Sequence, residues 1–221
     1  MHLVGSAAGP VGGDDLQLAV TVGDGGRLTV RSVAGAIVLP GRGGAPSSLT
    51  FDVTVGAGAR LHWLPEPTIL VRGSDHRAST RIGLAADAEL VWREVVVLGR
   101  HDEVAGSLLQ RLRVDVAGRP LLRNDLAVGP RWPGSLGPAG VGGARAVATA
   151  LVVGPDPEHL DVAGAGATPG EPDDGDVRAA VLPLGDRAAL VTVLAPRALA
   201  AVTTLDAVLA PVVPSAAAHA L

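Results

Sequence analysis

Apolar and polar residues alternate cleanly over residues 16–22 (Leu-Gln-Leu-Ala-Val-Thr-Val), 49–55 and 112–116, the period-two pattern of half-buried strands. The pattern belongs to a longer repeating unit. Val53-Thr54-Val55-Gly56-Ala57-Gly58-Ala59-Arg60-Leu61-His62-Trp63 is a strand, a small-residue turn and a second strand, and 29 residues later Ile82-Gly83-Leu84-Ala85-Ala86-Asp87-Ala88-Glu89-Leu90-Val91-Trp92 has the same form. An earlier copy, Val20-Thr21-Val22-Gly23-Asp24-Gly25-Gly26-Arg27-Leu28-Thr29-Val30, stands 33 residues before the second, with Val30 in place of Trp. Each copy reads as a hairpin or as the corner of a β coil. Repeats of this period predict a mainly β fold, a β-helix-like stack of strand-turn-strand units around one core.

Downstream, Ala117-Gly118-Arg119-Pro120 turns into residues 121–128, a predicted hairpin partner of 112–116. Residues 129–143 are rich in Pro and Gly around Trp132 and read as loop. Residues 151–153 and 188–194 look like strands, separated by an acidic loop over 164–176. Pro196 opens the only convincing helix, an Ala- and Leu-rich stretch over 196–210 that Pro211 ends. The expected organisation is one domain, a β body over about 1–194 followed by this helical segment, within the range that all-β chains fill as a single unit.

Composition narrows the chemistry. With 48% hydrophobic but only 2% aromatic residues, the core is built from Val, Leu and Ala, so Trp63, Trp92 and Trp132 stand out. The net charge of -4 and the scattered Arg residues give no clustered basic face for nucleic acid. All 18 basic residues are Arg, which removes the Gly-Lys-Ser/Thr end of a phosphate-binding loop. The absence of Cys removes thiolate ligands and nucleophiles and suits a reducing compartment, and with no signal peptide or membrane span in view the expected location is cytoplasmic.

No nucleophile elbow, His-Glu-x-x-His or dinucleotide fingerprint is present, so catalysis has no visible seat and the chain is expected not to be an enzyme. His62, His76, His101 and His159 lack ligand spacing and read as locally satisfied. Asp75-His76 and His101-Asp102-Glu103 are the exceptions, because imidazole beside carboxylate suits a transient divalent transition metal. Pro65 and Pro67 hold Glu66 extended in a rigid, displayed loop. Arg93-Glu94-Val95-Val96-Val97-Leu98-Gly99-Arg100 reads either as an edge strand with charged ends or as the wall of an internal polar channel. Two further readings stay open: a small-molecule or carbohydrate binding β module with Trp63 and Trp92 as stacking platforms, and a hydrolase with a carboxylate pair.

Four segments in order add a resemblance. Gly9-Pro10-Val11-Gly12-Gly13-Asp14, Leu61-His62-Trp63-Leu64-Pro65-Glu66-Pro67-Thr68, Glu94 with Leu98-Gly99-Arg100 and Glu103, and Gly118-Arg119-Pro120-Leu121-Leu122 resemble the motif series of the urease accessory protein UreD (UreH) family. The resemblance implies a β-helix-like body with one or two C-terminal helices. It also implies a non-catalytic scaffold that binds apo-urease with UreF and the GTPase UreG, and passes Ni²⁺ through an internal polar passage with no stably bound cofactor. For nickel in transit the resemblance marks Glu66, Glu94 and Glu103, and the imidazole-beside-carboxylate reading above adds Asp75 and His76. Those the resemblance marks as motif or partner-binding are Gly12, Gly13, Asp14, Trp63, Pro65, Pro67, Thr68 and Arg100. Where the family often carries Thr-Thr-Gln this chain has Arg31-Ser32-Val33-Ala34-Gly35-Ala36, and without a longer basic and aromatic tail it reads as a shortened member.

Overall fold

A computed structural model describes residues 1–5, 8–154, 157–162 and 176–213. After a short β1 (His2–Leu3), the chain winds through stacked coils. The first coil is β2 (Asp15–Val22), β3 (Arg27–Ser32) and β4 (Ala36–Val38); the second is β5 (Ser47–Val55), β6 (Arg60–Leu64) and β7 (Thr68–Leu70). The third is β8 (Asp75–Leu84) and β9 (Glu89–Leu98), and β10 (Ser107–Val116) begins a fourth. The strand-turn-strand unit is therefore a coil corner and not a hairpin, because its two strands enter different sheets. One sheet runs β2, β5, β8, β10 in parallel, and the facing sheet runs β3, β6, β9 in parallel.

The sequence repeat is the register. Val20 pairs with Val53 and Val53 with Ile82 in one sheet, while Val30 pairs with Trp63 and Trp63 with Trp92 in the other. Corners stack directly: Gly25 N–H donates to Ala57 O at 2.7 Å and Ala57 N–H to Asp24 Oδ1 at 2.9 Å. Gly56 is required there, since a Cβ on it would lie 2.3 Å from Asp24 Oδ1 and 2.8 Å from Asp24 N.

Stacking stops where the corner chemistry changes. Ala117 and Gly118 both take positive φ, 49° and 73°, so the chain folds straight back as a two-residue hairpin into β11 (Arg119–Val128). The loop expected around Trp132 separates β11 from β12 (Ala146–Val153), which lies antiparallel to β9. β13 (Arg178–Pro183) and β14 (Ala188–Ala195) extend that sheet, and the acidic loop expected over 164–176 lies, apart from its last residue, outside the described residues. β9 is consequently a central strand, paired with β6, β7 and β12, so its charged ends do not mark an edge. Helix α1 (Ala198–Leu209) packs Ala201, Leu205, Val208 and Leu209 on the outer face of this sheet, where Ala146, Ala148, Ala150, Ala189 and Ala195 let it lie close.

Trp63 and Trp92 stack in the interior with centroids 4.9 Å apart and planes 8° from parallel, and Phe51 meets both edge-on. They are 3% and 1% exposed, which removes them as surface stacking platforms. Aromatic pairs of this kind add about 0.5–1.5 kcal/mol each beyond burial, substantial in a chain so poor in aromatics.

Candidate functional site

Strand alternation sends residues 76, 78, 80, 82 and 84 of β8, and their register partners on β5 and β10, into the space between the sheets. Toward the corner end this space is filled by Val20, Val53, Ile82 and Val114, with Val22, Val55 and Leu84 beyond them. Toward the other end the residues in the same register become Ser47 and His76 beside Leu108, and Leu49 and Ala78 beside Gln110. Smaller and polar side chains there leave a cavity of about 600 Å³. Its walls include Trp63, Ala78, His76, Glu94, Val96 and Gln110, and its mouth includes Pro65, Glu66, Thr68 and Arg100.

Glu94 stands on the inner face of β9, two residues beyond the buried Trp92. It is half-buried and lines the cavity. Burial pushes its carboxyl up to about 7, opposed by the Trp92 indole N–H and the Gln110 amide. The Trp92 Nε1 is buried and has no hydrogen-bond partner within 3.5 Å. His76 is 3% exposed, and its Nδ1 lies 2.9 Å from Ser47 Oγ. Burial holds its imidazole down to about 4, against the smaller influences of Ser47 and Asp75, so the ring is uncharged near neutral pH.

Glu66 is exposed at the mouth, its N–H donating to Ser32 Oγ at 2.8 Å. The corner from residue 65 to 68 sits on the corner below it, where Ala36 N–H donates to Pro67 O at 3.0 Å. The structure thus brings Glu66, His76 and Glu94 to one cavity. Asp75 and Glu103 are not among its lining residues. Asp75 turns away from His76 and ion-pairs with Arg131 through Oδ2. Glu103 takes Arg100 side-chain bonds at 2.9 Å and the Arg100 backbone N–H at 3.0 Å, and these hold its carboxyl down to about 2. Among the described residues no three His, Asp or Glu side chains converge as a metal site.

Gly12, Gly13 and Asp14 build the turn that opens the first coil. A Cβ on Gly12 would lie 2.3 Å from Gly41 N and from Ala45 O, Gly13 has φ of 100°, and Asp14 Oδ2 accepts the Val11 N–H at 2.8 Å. Sequence reasoning missed Ala78 and Gln110 as cavity residues and Ser47 as the partner that holds His76. The readable signal was a polar or small residue on the apolar face of an alternating strand, as in Leu108, Gln110, Leu112.

The fold and its hollow end define a class of protein: a stack of parallel β coils, closed by antiparallel strands and a helix, with an ionisable interior. A family model described as UreD urease accessory protein matches residues 1–220. Urease accessory proteins UreD are similar in sequence: that of Frankia alni is 50% identical over 70% of this chain and 57% of its own length, that of a Parafrankia species 45% identical over 93% and 73%, and that of Streptomyces avermitilis 44% identical over 92% and 78%. The chain belongs to the UreD urease accessory protein family, and spans under three-fifths of the Frankia alni protein's length.

Proposed function

We propose that the chain acts in urease maturation as a non-catalytic scaffold in the cytoplasm, working with UreF-like and UreG-like partners and apo-urease, and that the cavity is a stretch of the route by which Ni²⁺ travels. The observation that carries this reading is Glu94, a carboxyl in the middle of an otherwise apolar inner strand face, opening onto a cavity that also exposes His76 and has Glu66 at its mouth. An idle carboxyl would not be kept there, because its ionised form costs folding free energy. Carboxylate and neutral imidazole are both suitable donors for a divalent transition metal. Spaced singly along a wall, they favour brief stops over retention. Nickel is cargo here and not a resident cofactor.

The test is urease activation in cells under limiting nickel with Glu94→Gln, which removes the charge and nearly keeps the shape. Activation falls by about tenfold if Glu94 contacts the passing cation, the loss of one charged contact. Wild-type activation would overturn the assignment of Glu94. No helix among the described residues is long and apolar enough to cross a membrane.

A further inference from the structure

Arg93 lies on the outer face of β9, between Val91 and Val95, and is 3% exposed. Its guanidinium works in two directions. One nitrogen donates to Pro65 O at 2.8 Å and to Leu64 O at 3.3 Å, the last two carbonyls before Glu66. The other donates to Asp206 Oδ1 on α1 at 2.6 Å, and Nε has no partner. Asp206 is itself 53% exposed in its side chain.

We propose that Arg93 is a positioning residue that ties α1 to the corner carrying Glu66, so that a displacement of α1 moves the mouth of the cavity. Pro65 and Pro67 have no N–H, which leaves this corner few backbone tethers of its own; the Arg93 bonds to two consecutive carbonyls replace them. A buried guanidinium stays where it is only while its charge is matched. Asp206 supplies that match from the surface of the helix, where another molecule could reach it. Without Asp206, Arg93 is drawn toward water and releases Leu64 and Pro65. The coupling deepens the proposed nickel route, and rests on it only for what the mouth transmits.

Glu66 offers a clean probe, a single amide between two prolines that have none. Asp206→Ala speeds hydrogen exchange of the Glu66 amide by about tenfold while amides of β5 and β8 keep wild-type protection, a local and not a global opening. Asp206→Glu restores protection, and Leu199→Ala, on an exposed position of the same helix, leaves the Glu66 amide unchanged. Unchanged Glu66 exchange in Asp206→Ala, or an equal rise across β5 and β8, overturns the proposal. Urease activation under limiting nickel is read on the same variant. Selective opening at Glu66 with full activation upholds the coupling and sinks the mouth as part of the nickel route.

Discussion

The two ends of the interior are built from the same strands in the same register, yet one is packed and the other hollow. At the corner end Val53, Ile82 and Val114 interlock beneath the Trp63–Trp92 stack. A few residues further along the same strands, Ala78, His76, Gln110 and Glu94 line a cavity of about 600 Å³. The backbone repeat is indifferent to this change, because strand pairing uses only main-chain groups. One end of the coil stack therefore supplies stability, while the other gives some of it up for an ionisable interior.

Substitution contrasts the two ends most sharply. Ile82→Ala leaves a void in a packed layer and lowers unfolding free energy by about 3 kcal/mol in urea titration, whereas Ala78→Leu, with room to receive it, changes stability by under about 1 kcal/mol. Equal costs at the two positions would erase the distinction.

Glu94→Gln tests the same contrast through charge. The folded pKa of about 7 lies above the ordinary 4.5, so the contribution of Glu94 to stability is fully present below about pH 4.5 and is lost as pH rises through 7. At pH 8 the variant is more stable than wild type by up to about 3 kcal/mol, measured by urea unfolding. His76 runs the other way: its folded value of about 4 lies below the ordinary 6.5, so its contribution is present above 6.5 and is lost as pH falls through 4. His62, also depressed, first by burial, adds in the same direction. Between about pH 4.5 and 6.5 the opposing slopes offset each other in wild type. In Glu94→Gln the urea midpoint accordingly falls on acidification through that window, while wild type stays flatter; parallel profiles would contradict the assignment of these shifts.

The smallest effect belongs to the mouth. Replacing Pro65 and Pro67 together by Ala frees the unfolded chain and lowers stability by about 1 kcal/mol in thermal unfolding.

The architecture was legible because the repeat offsets of 33 and 29 residues are themselves the strand registers, and because matching positions placed Trp63 over Trp92. The three-residue strands β4 and β7 were not, being too short for alternation to show. Position 94 was legible as a charge beside an apolar run, but not the cavity, whose volume depends on two sheets at once. Charged ends on residues 93–100 suggested an edge equally well, since sequence does not reveal that Arg93 is neutralised from 113 residues away by Asp206. Asp75 and Glu103 show the converse: local spacing offered them as donors, and Arg131 and Arg100 occupy them.

The role proposed for the hollow end is cation passage and not folding. It is tested most directly by measuring, on one preparation of Ala78→Leu and Glu94→Gln, both unfolding free energy and urease activation at limiting nickel. Both variants are expected to be as stable as wild type or more so at pH 8, yet with activation reduced by about tenfold. Full activation in both, with stability unchanged, would contradict it.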